Sequence, residues 1–124
     1  MIENRQCRTP ADIVSATKLQ VTTCTPEEAA GRMNADRGLL VLDVRDSTEY
    51  EQAHLDTSVN VSRGLLEWKI STVCPDPDKP ILVHCGSGGR AVLSVKSLME
   101  MGYTNVTAID ATYVDIAAAM SVKG

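Results

Sequence analysis

Hydrophobic and polar positions alternate between two periods along most of the chain. Residues 39–44 (Leu-Leu-Val-Leu-Asp-Val) and 80–85 (Pro-Ile-Leu-Val-His-Cys) are short, nearly continuous apolar runs. Runs of this kind belong to strands covered on both faces, so both predict central strands of a parallel sheet. Residues 19–24 alternate like a shorter strand, and Thr25-Pro26-Glu27-Glu28 then opens a helix. Thr25 can cap it, Pro26 suits the first turn and Glu28 can close a capping box; the helix should end near Arg37-Gly38. Residues 47–52 predict a short helix, 58–61 a strand, and 65–73 a helix closed by the cluster Pro75, Pro77 and Pro80. Beyond Cys85 a glycine-rich loop leads into a helix with Ala91, Val92, Val95, Leu98 and Met99 on one face and Gly102 placed to stop it. Residues 105–109 predict the last strand and 112–120 the last helix. Five strands alternating with helices give an α/β fold, a three-layer α/β/α arrangement around a five-stranded parallel sheet. Residues 1–17 show no clear period and read as an N-terminal extension, wrapped on the domain or partly mobile, which leaves 18–124 as a single domain.

Composition narrows the function. With 124 residues, 44% of them hydrophobic, the chain has room for one core and no second domain. Phe is absent, and Trp68, Tyr50, Tyr103 and Tyr113 are the whole aromatic complement, so the core is aliphatic and few platforms exist for stacking bases. Twelve basic and sixteen acidic residues leave a net charge of −4, which speaks against nucleic acid as a partner. The longest apolar run, residues 116–120, is too short to span a bilayer, and the first ten residues lack a signal-type apolar stretch, so no membrane association and a cytoplasmic location are expected. Cys7, Cys24, Cys74 and Cys85 form no C-x-x-C pair, and with His54 and His84 they lack the spacing of a metal site; free thiols and no metal are expected.

The chemistry points to His84-Cys85-Gly86-Ser87-Gly88-Gly89-Arg90-Ala91. This segment joins the carboxyl end of a buried strand to the amino end of a helix, where open α/β sheets bind ligands. Its glycines let the backbone curl until successive N–H groups converge on one point, an anion nest. Cys85 begins the curl, and both the nest and the helix terminus favour a thiolate, the nucleophilic form. A buried cysteine ending a strand can also be a plain core residue; the glycines that follow weigh toward chemistry. Neither common phosphate loop fits, since no Gly-Lys-Ser/Thr follows and the glycines lack G-x-G-x-x-G spacing. A cysteine phosphatase loop, C-x5-R, is nearer, but Cys85 and Arg90 enclose four residues, and the smaller ring suits one extra sulfur atom better than a phosphoryl group. His84 should face the opposite side of its strand from Cys85 and serve packing rather than a Cys-His dyad. Asp43, Arg45 and Glu49 follow the other central strand and are placed to brace the loop. Arg90 could touch an anionic substrate or pair with Glu49, and both readings stay open.

The segment Cys85-Gly-Ser-Gly-Gly-Arg90-Ala91 resembles the C-x-x-G-x-R-[AS] loop of the rhodanese (sulfurtransferase) family. Two further motifs follow that family's order: Leu42-Asp43-Val44-Arg45 with Glu49-Tyr50, and His54-Leu55 leading into Val59-Asn60-Val61. The resemblance runs from about Leu19 to Met120. It implies sulfur transfer through a Cys85 persulfide held by Gly86, Ser87, Gly88, Gly89 and Arg90. The donor would be a small molecule such as thiosulfate, and the acceptor cyanide or a thiol, with a protein acceptor as a further candidate; no cofactor is implied. Alternatives are a sulfur-carrier or interaction module and a cysteine phosphatase or arsenate reductase. The chain departs from the family at Asp56-Thr57-Ser58, where a Gly-Ala step is usual, and at Asp110-Ala111-Thr112-Tyr113, where a Gly-Gly-x-x-x-Trp stretch is usual. Both departures bear on the pocket rim.

Overall fold

In the computed structural model, which describes residues 7–121, the elements run in the order α1 (Pro10–Lys18), β1 (Thr23–Cys24), α2 (Pro26–Ala35), β2 (Leu40–Asp43), α3 (Ser47–Gln52), β3 (Ser58–Asn60), a 3-10 turn (Arg63–Leu65), α4 (Leu66–Val73), β4 (Ile81–His84), α5 (Gly89–Glu100), β5 (Val106–Ile109) and α6 (Tyr113–Ser121). All strands pair in parallel in the spatial order β1-β5-β4-β2-β3. The two apolar runs thus form adjacent central strands, with Asp43 registered against His84. Covering helices bury both faces, as those sequences require. One cluster holds Leu42, Val83, Cys85, Leu66, Ile70, Val92 and Leu98, under α4 and α5; the other holds Val41, Leu82, Ile109, Ala29 and Ile116, under α2 and α6.

The chain leaves β2 toward β3 and leaves β4 toward β5, in opposite directions across the sheet. Their departing loops therefore separate at the carboxyl ends of β2 and β4 and open the crevice in which such sheets bind ligands.

Where the sequence predicts an extension without regular period over residues 1–17, Pro10–Lys18 is a helix that runs across that boundary. Its cause is local. The hydroxyl of Thr9 accepts the Asp12 N–H at 3.1 Å while the Asp12 carboxylate accepts the Thr9 N–H at 3.0 Å, a capping box with proline in the first turn. α1 packs on α5, and Val14 joins the α4/α5 core cluster from its edge. Residues 1–6 lie outside the described residues. The strand expected over 19–24 shortens to Thr23–Cys24, and α2 ends at Ala35, just short of the expected end near Arg37-Gly38. No helix among the described residues is long and apolar enough to cross a membrane.

Candidate active site

Cys85 follows the last residue of β4 and has no exposed surface. The loop curls back over it, so that the Gly88 N–H donates to the Cys85 Sγ at 3.1 Å and the Ala91 N–H donates at 3.3 Å. Ala91 is the third residue of α5, whose N-cap, Gly88, has no side chain to offer. The sulfur fills the place an N-cap oxygen would take, accepting from an otherwise orphaned helix N–H. Two donors and a helix terminus aimed at one sulfur can hold negative charge on it.

The curl depends on Gly88, whose φ of +100° lies in the left-handed region. A Cβ there would also come within 3.0 Å of the Asp110 Oδ1. The first loop residue is fixed from α6, because the Tyr113 N–H donates to the Gly86 carbonyl at 2.9 Å. Ser87 is the exposed tip and borders a cleft of about 650 Å3 lined also by Glu27, Asp110, Thr112 and Asp115. That cleft reaches the loop at Ser87, not at the sulfur.

Arg90 is half-buried, and its guanidinium pairs with Glu49 of α3. Nη1 donates to Oε1 at 2.8 Å and Nη2 to Oε2 at 3.3 Å, a bidentate pair. Hydrogen bonding between the two is the largest cause of holding the Glu49 carboxyl below, and the Arg90 guanidinium above, their ordinary ranges. Of the two readings left open by sequence, the structure shows Arg90 paired with Glu49. The pair lies over Gly86, where an added Cβ would sit 3.1 Å from Arg90 Nη2.

Asp43 and Arg45 occupy the opposite face of the sheet from Cys85. Arg45 donates to both Asp43 oxygens, at 2.8 to 3.1 Å, and to the Ala53 carbonyl at 2.7 Å. Burial opposes the charge of Arg45, but its bonds to Asp43 outweigh that and raise its pKa. Asn60 Nδ2 ties the Asp43 and Arg45 carbonyls together at 3.0 Å each. The Arg45 guanidinium lies 4.1 Å above the Tyr113 ring, and so meets the Cys85 loop through the residue that anchors Gly86. Of the three residues expected to brace the loop, Glu49 touches it through Arg90, whereas Asp43 and Arg45 act from beneath.

His84 is fully buried, facing away from Cys85 as alternation predicts. Neither ring nitrogen has a hydrogen-bond partner among the described residues, and Nε2 stands 3.8 Å from the Asp43 Oδ2. Burial pushes the ring below its ordinary value of 6.5, with Asp43 opposing and Arg45 adding to the shift.

Two neighbours of the loop, Val14 against Gly89 and Lys18 on Asp110, carry no expectation from the sequence, whereas Asp110 against Gly88 and Tyr113 on Gly86 fall in the segment 110–113 expected at the pocket rim, without those contacts being foreseen. The one local signal was Thr9-Pro10-Ala11-Asp12, which repeats the Thr-Pro-x-acid pattern of Thr25-Pro26-Glu27-Glu28. The contacts themselves are tertiary.

The thiosulfate sulfurtransferase PspE of Escherichia coli K12 is 32% identical over 65 residues, a match covering 52% of this chain and 62% of PspE, less than two thirds of that relative's length. Among solved structures, the polysulfide-sulfur transferase homodimer of Wolinella succinogenes is 26% identical with a TM-score of 0.71, covering 86% of this chain and 80% of that one. Rhodopseudomonas palustris RPA3614, described as a protein of unknown function and a possible tyrosine phosphatase, has a TM-score of 0.79 at 23% identity with 96% of both chains covered, and shows likeness of fold alone. The rhodanese-like domain profile matches residues 25–119, from the N-cap of α2 almost to the end of α6 and through the whole Cys85 loop. The chain therefore belongs to the rhodanese-like domain family.

Proposed function

We propose that the protein is a sulfurtransferase that carries a sulfane sulfur on Cys85. The observation that carries this reading is the Cys85 sulfur itself, set at the carboxyl end of a central strand with the N–H groups of Gly88 and Ala91 donating to it. In the first half-reaction the Cys85 thiolate attacks the outer sulfur of thiosulfate. The bond between the two donor sulfurs breaks, sulfite leaves with the bonding pair, and a Cys85 persulfide anion remains. In the second, cyanide or a thiolate attacks the outer persulfide sulfur, and the Cys85 thiolate is restored. Charge resides on sulfur at each end of the cycle, so fixed N–H donors aimed there serve both halves.

Cys24 and Cys74 are poorer candidates for the nucleophile. Burial pushes the Cys24 and Cys74 thiols above their ordinary range, and neither opens a glycine loop. The phosphatase reading loses support at the loop, where Cys85 and Arg90 enclose four residues against the five of C-x5-R and the Arg90 guanidinium is already paired with Glu49.

Incubation with thiosulfate should add one sulfur atom to the intact mass, and cyanide should then remove it. Cys85→Ser should abolish both the gain and thiosulfate:cyanide turnover, while Cys24→Ser and Cys74→Ser leave them nearly intact. Turnover surviving in Cys85→Ser would overturn the assignment. A mass gain without cyanide turnover would identify a carrier that delivers its sulfur to another protein.

A further inference from the structure

We infer that the Lys18–Asp110 ion pair is a positioning clamp that ties the N-terminal helix to the Gly88 face of the Cys85 loop and so holds the loop N–H groups on the sulfur. This rests on the reading that Cys85 carries the sulfur, and it concerns residues outside the motifs of that reading.

Three contacts converge on the loop from its outer side. Lys18 Nζ, at the end of α1, reaches the Asp110 Oδ2 at 2.9 Å. The other carboxylate oxygen, Oδ1, lies 3.0 Å from where a Gly88 Cβ would stand. Val14, one turn earlier on α1, comes within 3.4 Å of the corresponding point on Gly89. Asp110 is itself fixed, since its N–H donates to the Cys24 carbonyl at 3.0 Å as the chain leaves β5. Gly88 is thus held between its bond to Sγ on one side and the Asp110 carboxylate on the other. A left-handed glycine has wide conformational freedom, and a rigid neighbour on its open face restricts that freedom. Lys18 supplies the rigidity by fixing the carboxylate's rotamer. It also balances the negative charge that Asp110 would otherwise bring near an anionic sulfur.

Lys18→Met, Asp110→Asn and the double variant form a test cycle. The side chains are 40% and 34% exposed, so each single change should lower kcat for thiosulfate:cyanide transfer by about two- to fivefold, the range expected of a partly exposed pair. The double variant should be no worse than the worse single one. Thiosulfate KM should rise in Lys18→Met, which leaves the carboxylate uncompensated, and should not rise in Asp110→Asn. Hydrogen exchange at the Gly88 and Ala91 amides should quicken in all three variants, and this readout needs no turnover. If exchange at those amides is unchanged, or the two losses simply add, the clamp is wrong. If exchange quickens while no variant, nor the parent, transfers sulfur, the clamp stands and the sulfurtransferase reading fails.

Discussion

At the scale of single residues, Gly88 and His84 carry the sharpest consequences. Gly88 holds φ at +100° with the Asp110 carboxylate against the place of a Cβ, so a side chain meets both a backbone penalty and a clash. Gly88→Val should destabilise the fold by about 1–3 kcal/mol from the backbone alone, read as a lower denaturant midpoint, and should slow sulfur transfer even where the protein remains folded. His84 bears on pH. Its folded-state pKa is lowered by burial, so below the ordinary value of 6.5 the unfolded chain takes up a proton that the folded chain refuses. The unfolded state then binds more protons, and stability rises with pH through that window. Stability should be fully present above about pH 6.5 and should decline as pH falls toward the depressed folded value. Urea midpoints measured from pH 7.5 down to about 5.5 should show this slope in the parent and a flatter one in His84→Leu, which takes no proton in either state.

Between elements, two ion pairs are drawn together around the carboxyl ends of β2 and β4, and they differ because their burial differs. Arg45 is 5% exposed and Asp43 not at all. Removing one partner strands a buried charge, so Asp43→Ala should cost about 3–5 kcal/mol, seen as a large fall in thermal midpoint. Glu49 and Arg90 are roughly a third exposed, and solvent screens them; Glu49→Gln should cost at most about 1 kcal/mol. Its larger effect should be on transfer rate, because the pair lies over Gly86, and Arg90→Met should give a similar loss with no further loss in the double variant. With the Glu49 carboxyl held below its ordinary range, the pair's contribution is complete above that range and disappears as pH falls through the depressed value. Activity should therefore not lose this support on the acid side until well below neutrality.

For the whole molecule, sheet topology sets the Cys85 loop at the carboxyl ends of the central strands. The chain turns away from β2 and from β4 in opposite directions, so the α3 segment with Glu49 and the Cys85 loop are left facing each other. Arg90 then has a carboxylate partner before any substrate arrives. Incubation with a generic aryl phosphate should accordingly release no phosphate above the level of Cys85→Ser, and a robust release dependent on Cys85 would reverse that conclusion.

Much of this was legible in order along the chain. The two apolar runs announced buried parallel strands because a strand covered on both faces needs apolar residues without alternation. The glycines after Cys85 announced a backbone that can turn N–H groups inward, and period-two alternation put His84 and Cys85 on opposite faces. The capping box that begins α1 was equally local, and its pattern stands in the sequence at Thr9 to Asp12. Tertiary structure alone decided the partners: that Arg90 pairs with Glu49, that Tyr113 anchors Gly86, and that Lys18 and Asp110 meet beside Gly88. Periodicity and turn chemistry act within a few residues, whereas these contacts join segments brought together only when helices close over a twisted sheet, and no local preference encodes which side chains then come within reach.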